Sequence, residues 1–205
     1  MELMARYPDN YFDLAICDPP YGINMSMGHK GSEKRGDKNR YKNFAGNDSS
    51  IPLKEYFTEL FRVSKNQIIW GANYMTEFLE PKASWIIWDK VQPKDFTMAM
   101  AELAWNSFDS PIKIFKKTAK GGFLTNGTID QRIHPTQKPV SLYKFCLENY
   151  AKQGDKILDT HLGSMSIAIA CHDYGFDLTG CELDVDYYNK GMERVNNHVA
   201  QQKLF

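Results

Sequence analysis

The sequence predicts an α/β fold built around one mostly parallel β-sheet. Short apolar segments typical of buried strands alternate along the chain with amphipathic segments typical of helices. Because parallel strands need a crossover between them, this alternation favours a parallel sheet with helices on its faces. The length of 205 residues is that of one domain, or of one domain with an insertion. We expect residues 1–205 to form a single domain, with helices on the faces of the sheet in a three-layer sandwich.

The first predicted strand, at 12–17, has a defined end. Its apolar run stops before Pro19 and Pro20, and two prolines cannot continue the hydrogen-bond ladder of a sheet. Further apolar runs predict strands at 67–71, 84–88, 102–108, 112–116, 156–159 and 178–182. The tryptophans in or beside these strands are interpreted as core residues, namely Trp70, Trp85, Trp88 and Trp105.

Helices are predicted where apolar residues recur at helical spacing. The first clear helix opens at Pro52, and its apolar face consists of Leu53, Tyr56, Phe57, Leu60 and Phe61. Others cover 73–80, 140–150 and 166–174, and residues 2–7 predict one or two helical turns. The last helix starts near Asp184, a good N-cap, and its apolar stripe consists of Val185, Tyr188, Met192, Val195 and Val199.

Two segments without hydrophobic periodicity are predicted to be irregular. Residues 22–52 predict a long, mobile basic loop within the domain, and residues 117–138 predict a short irregular segment with Gly-Gly and Asn-Gly turns. The loop follows Tyr21 directly and carries six cations between positions 29 and 42, namely Lys30, Lys34, Arg35, Lys38, Arg40 and Lys42. DNA phosphates are one partner for them, and a solvated surface is the alternative.

Composition limits the classes of function. Lys plus Arg and Asp plus Glu each number 25, so the formal charge is zero and binding of nucleic acid over a whole face is disfavoured, although a local basic strip is not. No apolar window approaches the ~20 residues of a membrane span, and residues 1–10 lack the apolar core of a signal peptide. The four cysteines contain no Cys-x-x-Cys pair, which predicts buried, reduced thiols in a cytoplasmic protein without a metal site.

The segment from Ile157 to Ser166 predicts a strand, a tight glycine turn and a helix start. Glu182 ends the next predicted strand, 19 residues after Gly163. Since both strands end at the carboxyl edge of the sheet, Asp159 and Glu182 can face one crevice suited to a ligand with a ribose. The absence of a G-x-G-x-x-G pattern disfavours NAD and favours an adenosine without a pyrophosphate; a purely structural βαβ unit is the alternative.

The tetrapeptide Asp18-Pro19-Pro20-Tyr21 is the most specific motif in the chain. It places a carboxylate at a strand end, fixes its direction with two ring-locked residues and adds an aromatic ring. A planar amino group can donate hydrogen bonds to Asp18 and to a proline carbonyl while its ring stacks on Tyr21. A rigid turn with an exposed tyrosine is the alternative interpretation.

On these residues the chain resembles the amino-group DNA methyltransferases that use S-adenosylmethionine, the adenine-N6 and cytosine-N4 class. The resemblance rests on Asp18-Pro19-Pro20-Tyr21, on His134-Pro135-Thr136-Gln137-Lys138-Pro139, and on the segment from Asp159 to Asp184 with Cys181-Glu182-Leu183-Asp184. The amino-group motif precedes the cofactor motif, as in the permuted subgroup. The resemblance implies a Rossmann-like methyltransferase fold with circularly permuted motif order.

The resemblance also implies roles for individual residues. Asp18, Pro19, Pro20 and Tyr21 would hold a base flipped out of double-stranded DNA, and the methyl group would pass directly to its amino nitrogen. S-adenosylmethionine would be held by Asp159, His161, Gly163, Ser164, Glu182, Thr136 and Lys138. The basic residues Lys30, Lys34, Arg35, Lys38 and Arg40 would contact DNA. An aspartate at the first motif position implies adenine over cytosine.

The chain differs from the usual family pattern in three places. Met165 stands where a second glycine is expected, and we expect its side chain to narrow the turn. Residues 117–138 stand in place of a full target-recognition region. No residue in 1–7 can complete a strand beside 178–182, so we expect that edge to lack a strand, and dimerisation is one way to cover it. A non-catalytic DNA-binding or partner-binding relative, and a methyltransferase acting on cytosine N4 or another planar amino group, are the alternatives to an adenine methyltransferase.

Overall fold

The structure is a computed structural model, and it describes residues 1–23, 48–92, 99–118, 123–125, 128–130, 133–134 and 136–202. In this part of the chain seven strands form one sheet in the order β5-β3-β4-β2-β1-β8-β9. These strands are β1 (Phe12–Cys17), β2 (Ser64–Trp70), β3 (Trp85–Asp89), β4 (Ala101–Asn106), β5 (Lys113–Lys116), β8 (Lys156–Asp159) and β9 (Asp177–Gly180). A separate hairpin consists of β6 (Phe123–Thr125) and β7 (Thr128–Asp130).

The sheet is mostly parallel, as predicted. Four neighbouring pairs are parallel, β1 with β2, β1 with β8, β8 with β9, and β3 with β5, whereas β4 runs antiparallel to both β2 and β3. In the ranges that the structure describes, four α-helices flank the sheet, namely α1 (Lys54–Val63), α2 (Val140–Tyr150), α3 (Ser166–Tyr174) and α4 (Val185–Gln202). The predicted α/β fold is confirmed.

Successive side chains of β1 pack on opposite faces of the sheet, in two separate layers of the core. Leu14 and Ile16 pack in the cluster that contains residues of α2 and α3, whereas Ala15 and Cys17 pack in the cluster that contains residues of α1. Successive strand side chains point to opposite faces, so a buried strand needs apolar residues at every position. Three of the four tryptophans are buried, as expected, and Trp85 is half-buried.

Two elements differ from the prediction. The expected helix at 73–80 is a pair of 3₁₀ turns, Ala72–Tyr74 and Thr76–Phe78, because Gly71 adopts a left-handed conformation that starts a tight turn at once after β2. The segment 117–138, predicted to be irregular, contains the β6–β7 hairpin. Its three-residue strands are too short to show a period of two in the sequence.

The apolar stripe predicted for α4 is wrong at its first turns. Val185 and Tyr188 are exposed, whereas Tyr187 and Gly191 are buried. The predicted N-cap is confirmed, because the Asp184 carboxylate accepts the backbone N–H of Tyr187 at 3.1 Å.

Strand β9 forms one end of the sheet, with β8 as its neighbour among the described residues. Residues Met4–Arg6 form a 3₁₀ turn, so the expectation that residues 1–7 supply no strand beside β9 is confirmed. A homodimer that covers this edge stays a prediction. Within the described ranges, none of the helices combines the length and the apolar character that crossing a bilayer requires.

Candidate active site

The sheet topology brings together the two predicted halves of the site, the Asp18–Tyr21 motif (the reaction half) and the segment from Asp159 to Asp184 (the cofactor half). Strands β2, β1, β8 and β9 are neighbours and run parallel, so their carboxyl ends meet at one edge of the sheet. Asp18 follows β1, Gly71 follows β2, Asp159 ends β8 and Glu182 follows β9. Crevices at such an edge are the usual ligand sites of open α/β sheets.

Asp18 lies in a closed ring of hydrogen bonds. The Tyr21 hydroxyl donates to Asp18 Oδ1 at 2.6 Å, and the Lys138 ammonium donates to Asp18 Oδ2 at 2.6 Å and to Tyr21 Oη at 3.0 Å. Burial raises the pKa of Asp18, and the Lys138 charge opposes this rise. The ring fixes the direction of the carboxylate from which the motif takes its chemistry.

Tyr21 is held on every side. Its backbone N–H donates to Asp48 Oδ1 at 3.0 Å, and its ring stacks on Tyr74 with centroids 5.4 Å apart and planes 17° from parallel. Tyr74 is 46% exposed, so it lies at the mouth of this pocket. Tyr74 was not predicted as a site residue, because a helix was predicted at 73–80 and the 3₁₀ turn Ala72–Tyr74 was not.

Gly71 makes room for the Tyr21 ring. A Cβ atom at this position would lie 2.0 Å from Tyr21 Cε1, and the backbone φ of +66° is one that residues with a side chain rarely adopt.

We expect Gly71→Ala to lower the free energy of unfolding by about 2–4 kcal/mol, through backbone strain and overpacking together. Urea unfolding measures this loss. Gly154→Ala is the matched control, since Gly154 has φ +89° but no atom within 4 Å of the added Cβ, and equal losses in the two variants would show that Tyr21 plays no part.

Lys138 contacts the Asp18–Tyr21 motif in this structure. The family resemblance implies that Lys138 holds S-adenosylmethionine, but its ammonium contacts Asp18, Tyr21 and also Glu102, at 3.0 Å. Although burial disfavours charge on Lys138, the carboxylates of Asp18 and Glu102 outweigh it and raise its pKa. Glu102 was missed by sequence reasoning, because a single charged residue in a strand does not reveal which distant cation it meets.

Asp159 lies at the bottom of the cofactor half. Its Oδ1 accepts the His161 backbone N–H at 2.9 Å, while its fully buried Oδ2 has no partner among the described residues. Burial, together with the nearby carboxylates of Asp18 and Glu182, raises the pKa of Asp159 to about 8. A buried carboxyl oxygen without a partner fits a ligand that brings a donor or a positive charge.

Glu182 braces the glycine turn. Its Oε2 accepts the Gly163 N–H at 2.7 Å, and its Oε1 accepts the Asp184 N–H at 2.9 Å. The carboxylate therefore joins the turn after β8 to the start of α4. Each of its oxygens has a second lone pair, which leaves an acceptor for a ribose hydroxyl.

His161 behaves as a neutral aromatic residue. Burial lowers its pKa to about 4, its Nδ1 lies 2.9 Å from Thr160 Oγ1, and its ring meets the Tyr56 ring edge-on at 5.5 Å. The uncharged imidazole therefore packs as an aromatic ring at physiological pH.

Ser164 and Thr136 lie close to the same turn. The hydroxyl of Ser164 is 3.1 Å from that of Ser166, which donates to the Lys138 carbonyl at 2.7 Å. Thr136 is exposed, and its Oγ1 lies 3.0 Å from His134 Nδ1. The His134 ring in turn faces Gly163, because a Cβ there would lie 3.9 Å from it. The His134–Pro139 motif thus contacts both the glycine turn and the Asp18 pocket.

A family model for N6 and N4 methylases, described as DNA methylase, matches residues 65–193, which is more than half of the chain. The chain belongs to this DNA methylase family.

Individual relatives of this methylase cover nearly all of its length. The Type II methyltransferase M.HpaI of Haemophilus parainfluenzae is 23% identical and aligns with 96% of this chain and 72% of its own. The structure of M1.HpyAVI in complex with SAM covers 90% of this chain and 89% of its own at 19% identity and a TM-score of 0.54. The cytosine-N4-specific PvuII DNA methyltransferase covers 97% of this chain and 87% of its own at 12% identity and a TM-score of 0.62. The predicted methyltransferase fold is confirmed.

The Met165 side chain does not lie where the sequence suggested. A Cβ atom on Gly191 would lie 2.7 Å from Met165 Cγ and 2.9 Å from its sulfur, so the side chain packs against α4, where it is 1% exposed. The expectation that this side chain narrows the glycine turn is therefore wrong. Its backbone has a φ of +57°, the conformation for which a glycine is expected.

We expect Met165→Gly to destabilise the methylase by about 2 kcal/mol. Removing a buried methionine side chain costs about 2–5 kcal/mol, whereas relief of the left-handed backbone returns only about 1–2 kcal/mol. Urea unfolding measures the balance, and a more stable variant would show that the strain dominates. Gly191→Ala should destabilise the wild type more than it destabilises Met165→Gly, because the clash needs both side chains.

All five predicted DNA contacts of the methylase lie outside the described residues. They are Lys30, Lys34, Arg35, Lys38 and Arg40, and their binding to DNA stays a prediction. Of the motif prolines, Pro19 is buried and Pro20 is half-buried, as expected for residues that fix a turn.

Proposed function

We propose that this methylase transfers a methyl group from S-adenosylmethionine to N6 of adenine in double-stranded DNA. The observation that carries the proposal is the fixed Asp18 carboxylate beside the Tyr21 ring at the carboxyl edge of the sheet. Each Asp18 oxygen accepts one hydrogen bond and keeps a lone pair for an amino N–H of a flipped base. Tyr74 continues the aromatic wall toward the outside of the pocket.

The residues of the cofactor half fit S-adenosylmethionine. The buried Asp159 Oδ2 offers an acceptor for its ammonium group, and Glu182 offers an acceptor for a ribose hydroxyl. Gly163, with φ +50°, keeps the turn free of a side chain that would fill the crevice. When bound, the cofactor supplies a methyl group on a sulfonium, which makes that carbon electrophilic.

The chain contributes by orientation. Asp18 accepts an N–H of the target amino group, so that the nitrogen lone pair faces the methyl carbon. With the cofactor held by Asp159 and Glu182, its sulfonium would supply the methyl group, and the amino nitrogen would lose one proton to solvent. No side chain becomes covalently attached, so positioning supplies most of the rate.

Cytosine N4 is the second candidate target, because the fold neighbour PvuII is cytosine-N4-specific. Both bases present an exocyclic amino group to the same kind of carboxylate. A single experiment separates them: duplex DNA is incubated with the purified chain and methyl-labelled S-adenosylmethionine, then digested to nucleosides for mass spectrometry. Labelled N6-methyladenine is expected. Labelled N4-methylcytosine would change the assigned base, and the absence of any labelled nucleoside on a DNA library of all short sequences would overturn the proposal.

A further inference from the structure

The ion pair at Asp18 continues into a chain of four alternating charges. Lys138 Nζ lies 2.6 Å from Asp18 Oδ2 and 3.0 Å from Glu102 Oε2, and Lys90 Nζ lies 2.5 Å from Glu102 Oε1. The Lys138 side chain is 2% exposed, that of Lys90 12% and that of Glu102 22%. The two carboxylates come from different strands, since Asp18 follows β1 and Glu102 lies on β4.

We propose that Glu102 is a positioning residue for methyl transfer, which holds the Lys138 ammonium in the place where it orients Asp18 toward the target amino group. The inference rests on the proposed function, because it assigns Asp18 to the target base.

The surroundings of Lys138 support this role. Its ammonium donates hydrogen bonds to Asp18 Oδ2 and Tyr21 Oη, whereas Glu102 Oε2 is an ion-pair partner at 3.0 Å that accepts no hydrogen bond. Asp18 and Tyr21 both belong to the Asp18-Pro19-Pro20-Tyr21 motif. Glu102 lies outside this motif, on β4, and attracts the flexible lysine side chain from another direction. Without it, the ammonium would be held from one side only.

Lys90 fixes Glu102 in turn. The backbone N–H of Lys90 donates to the Met100 carbonyl at 2.9 Å, which extends the β3–β4 pairing by one residue beyond Asp89 and Ala101. Burial would raise the pKa of Glu102, but Lys138 and Lys90 outweigh burial and hold that pKa below its ordinary value. Both oxygens of this carboxylate are therefore committed to cations.

The free energy of folding alone does not explain why four charged side chains are placed here. Desolvation of buried charges commonly cancels their attraction, and well-packed apolar residues are often as stable or more so. Apolar packing is close at hand, since Lys138 Nζ lies 5.6 Å from the Trp70 ring centre and Lys90 Nζ 5.2 Å from that of Trp88. A geometric role for Lys138 explains why charges occupy this place.

The test is the titration of Asp18 in Glu102→Gln, followed by carbon-13 NMR of the carboxyl groups. Asp18 is faced by Lys138, Glu102, Tyr21 and, at longer range, Asp159 and Tyr143. If Glu102 holds Lys138 in place, its loss displaces the cation, and the pKa of Asp18 rises. If Glu102 is only a neighbouring charge, Lys138 stays, one negative charge disappears, and the pKa of Asp18 falls. A fall or no change would overturn the inference.

Kinetics provide a second measurement on the same variant. We expect kcat of Glu102→Gln to fall about 10-fold to 100-fold while KM for DNA changes less than about threefold, because misplaced groups slow the reaction step. The acid limb of the rate profile should move to higher pH. Glu59→Gln is the control, since it removes an Arg62–Glu59 pair of 2.8 Å on α1 and should leave the rate and the Asp18 titration unchanged.

A second variant, and the independence of the titration from DNA and cofactor, separate failure of this inference from failure of the proposed function. Should Glu102→Gln not fold, Glu102→Asp keeps the charge but withdraws the carboxylate from Lys138, so the pKa of Asp18 is expected to rise; an unchanged titration would overturn the inference. The NMR titration needs neither DNA nor cofactor, so it decides the role of Glu102 even if the nucleoside analysis overturns the proposed methyl transfer.

Discussion

The Asp18→Asn variant is expected to lose at least about 1000-fold in its rate of methyl transfer while binding S-adenosylmethionine within about threefold of the wild type. The substitution keeps the size of the side chain but replaces one acceptor oxygen with a donor. That donor would face the Lys138 ammonium or the Tyr21 hydroxyl, both of which now donate to Asp18. Acceptors aimed at a reacting group are commonly worth ~10²–10³ in rate, and here the orientation of the whole ring is lost as well.

Transfer of labelled methyl groups to duplex DNA measures the first quantity, and isothermal titration of the cofactor measures the second. Asp9→Asn is a suitable control, because Asp9 pairs with Arg62 at 2.9 Å in an exposed position. Its rate should equal that of the wild type. A parallel loss of cofactor affinity and rate in Asp18→Asn would mean that Asp18 belongs to the cofactor half, and the assignment to the base pocket would then be wrong.

The Asp159→Asn variant is expected to be more stable than the wild type by about 2–4 kcal/mol at pH 8, with the gain vanishing near pH 4. The ordinary pKa of an aspartate is 3.8, and burial raises that of Asp159 to about 8. Between these values the folded protein keeps a proton that the unfolded chain releases, so stability falls as the pH rises. Below both values the two states carry the same charge. Asparagine does not titrate and therefore escapes this loss.

Urea unfolding at pH 4, 6 and 8 measures the difference. Asp13→Asn provides a control of opposite sign: the Lys156 N–H and the Lys65 ammonium hold the pKa of Asp13 below its ordinary value, so this carboxylate stabilises the fold above that value and loses its effect as the pH falls. An Asp159→Asn variant that is less stable than the wild type at pH 8 would contradict the prediction and would place an unseen partner on Asp159.

Helices and strands could be predicted where a single pattern of apolar residues extends over a whole segment. The helix α3 and the strand β8 were predicted to the residue, because glycine turns bound their apolar runs. The buried face of α4 could not be predicted in the same way, because helical periodicity does not tell which of the adjacent Tyr187 and Tyr188 faces inward. The buried Tyr187 ring meets the His134 ring with centroids 4.4 Å apart, a contact that the local sequence does not reveal.

The site was predictable in its motifs but not in its connections. The parallel sheet justified placing Asp18, Asp159 and Glu182 at one edge, since that inference needs only strand direction. The ion pair of Asp18 with Lys138 spans 120 positions, and the third member, Glu102, comes from a strand whose place depends on the strand order. The fit of Met165 against Gly191 likewise needs the distance between two helices.

The hydrogen bond from the Ser166 hydroxyl to the Lys138 carbonyl has a consequence for the spacing of donor and acceptor. In the proposed function, the Lys138 side chain contacts the pocket for the methyl acceptor, while its backbone is tied to the first residue of α3, beside the turn for the methyl donor. One residue would then set the separation between methyl donor and methyl acceptor, on which the rate of a direct displacement depends steeply.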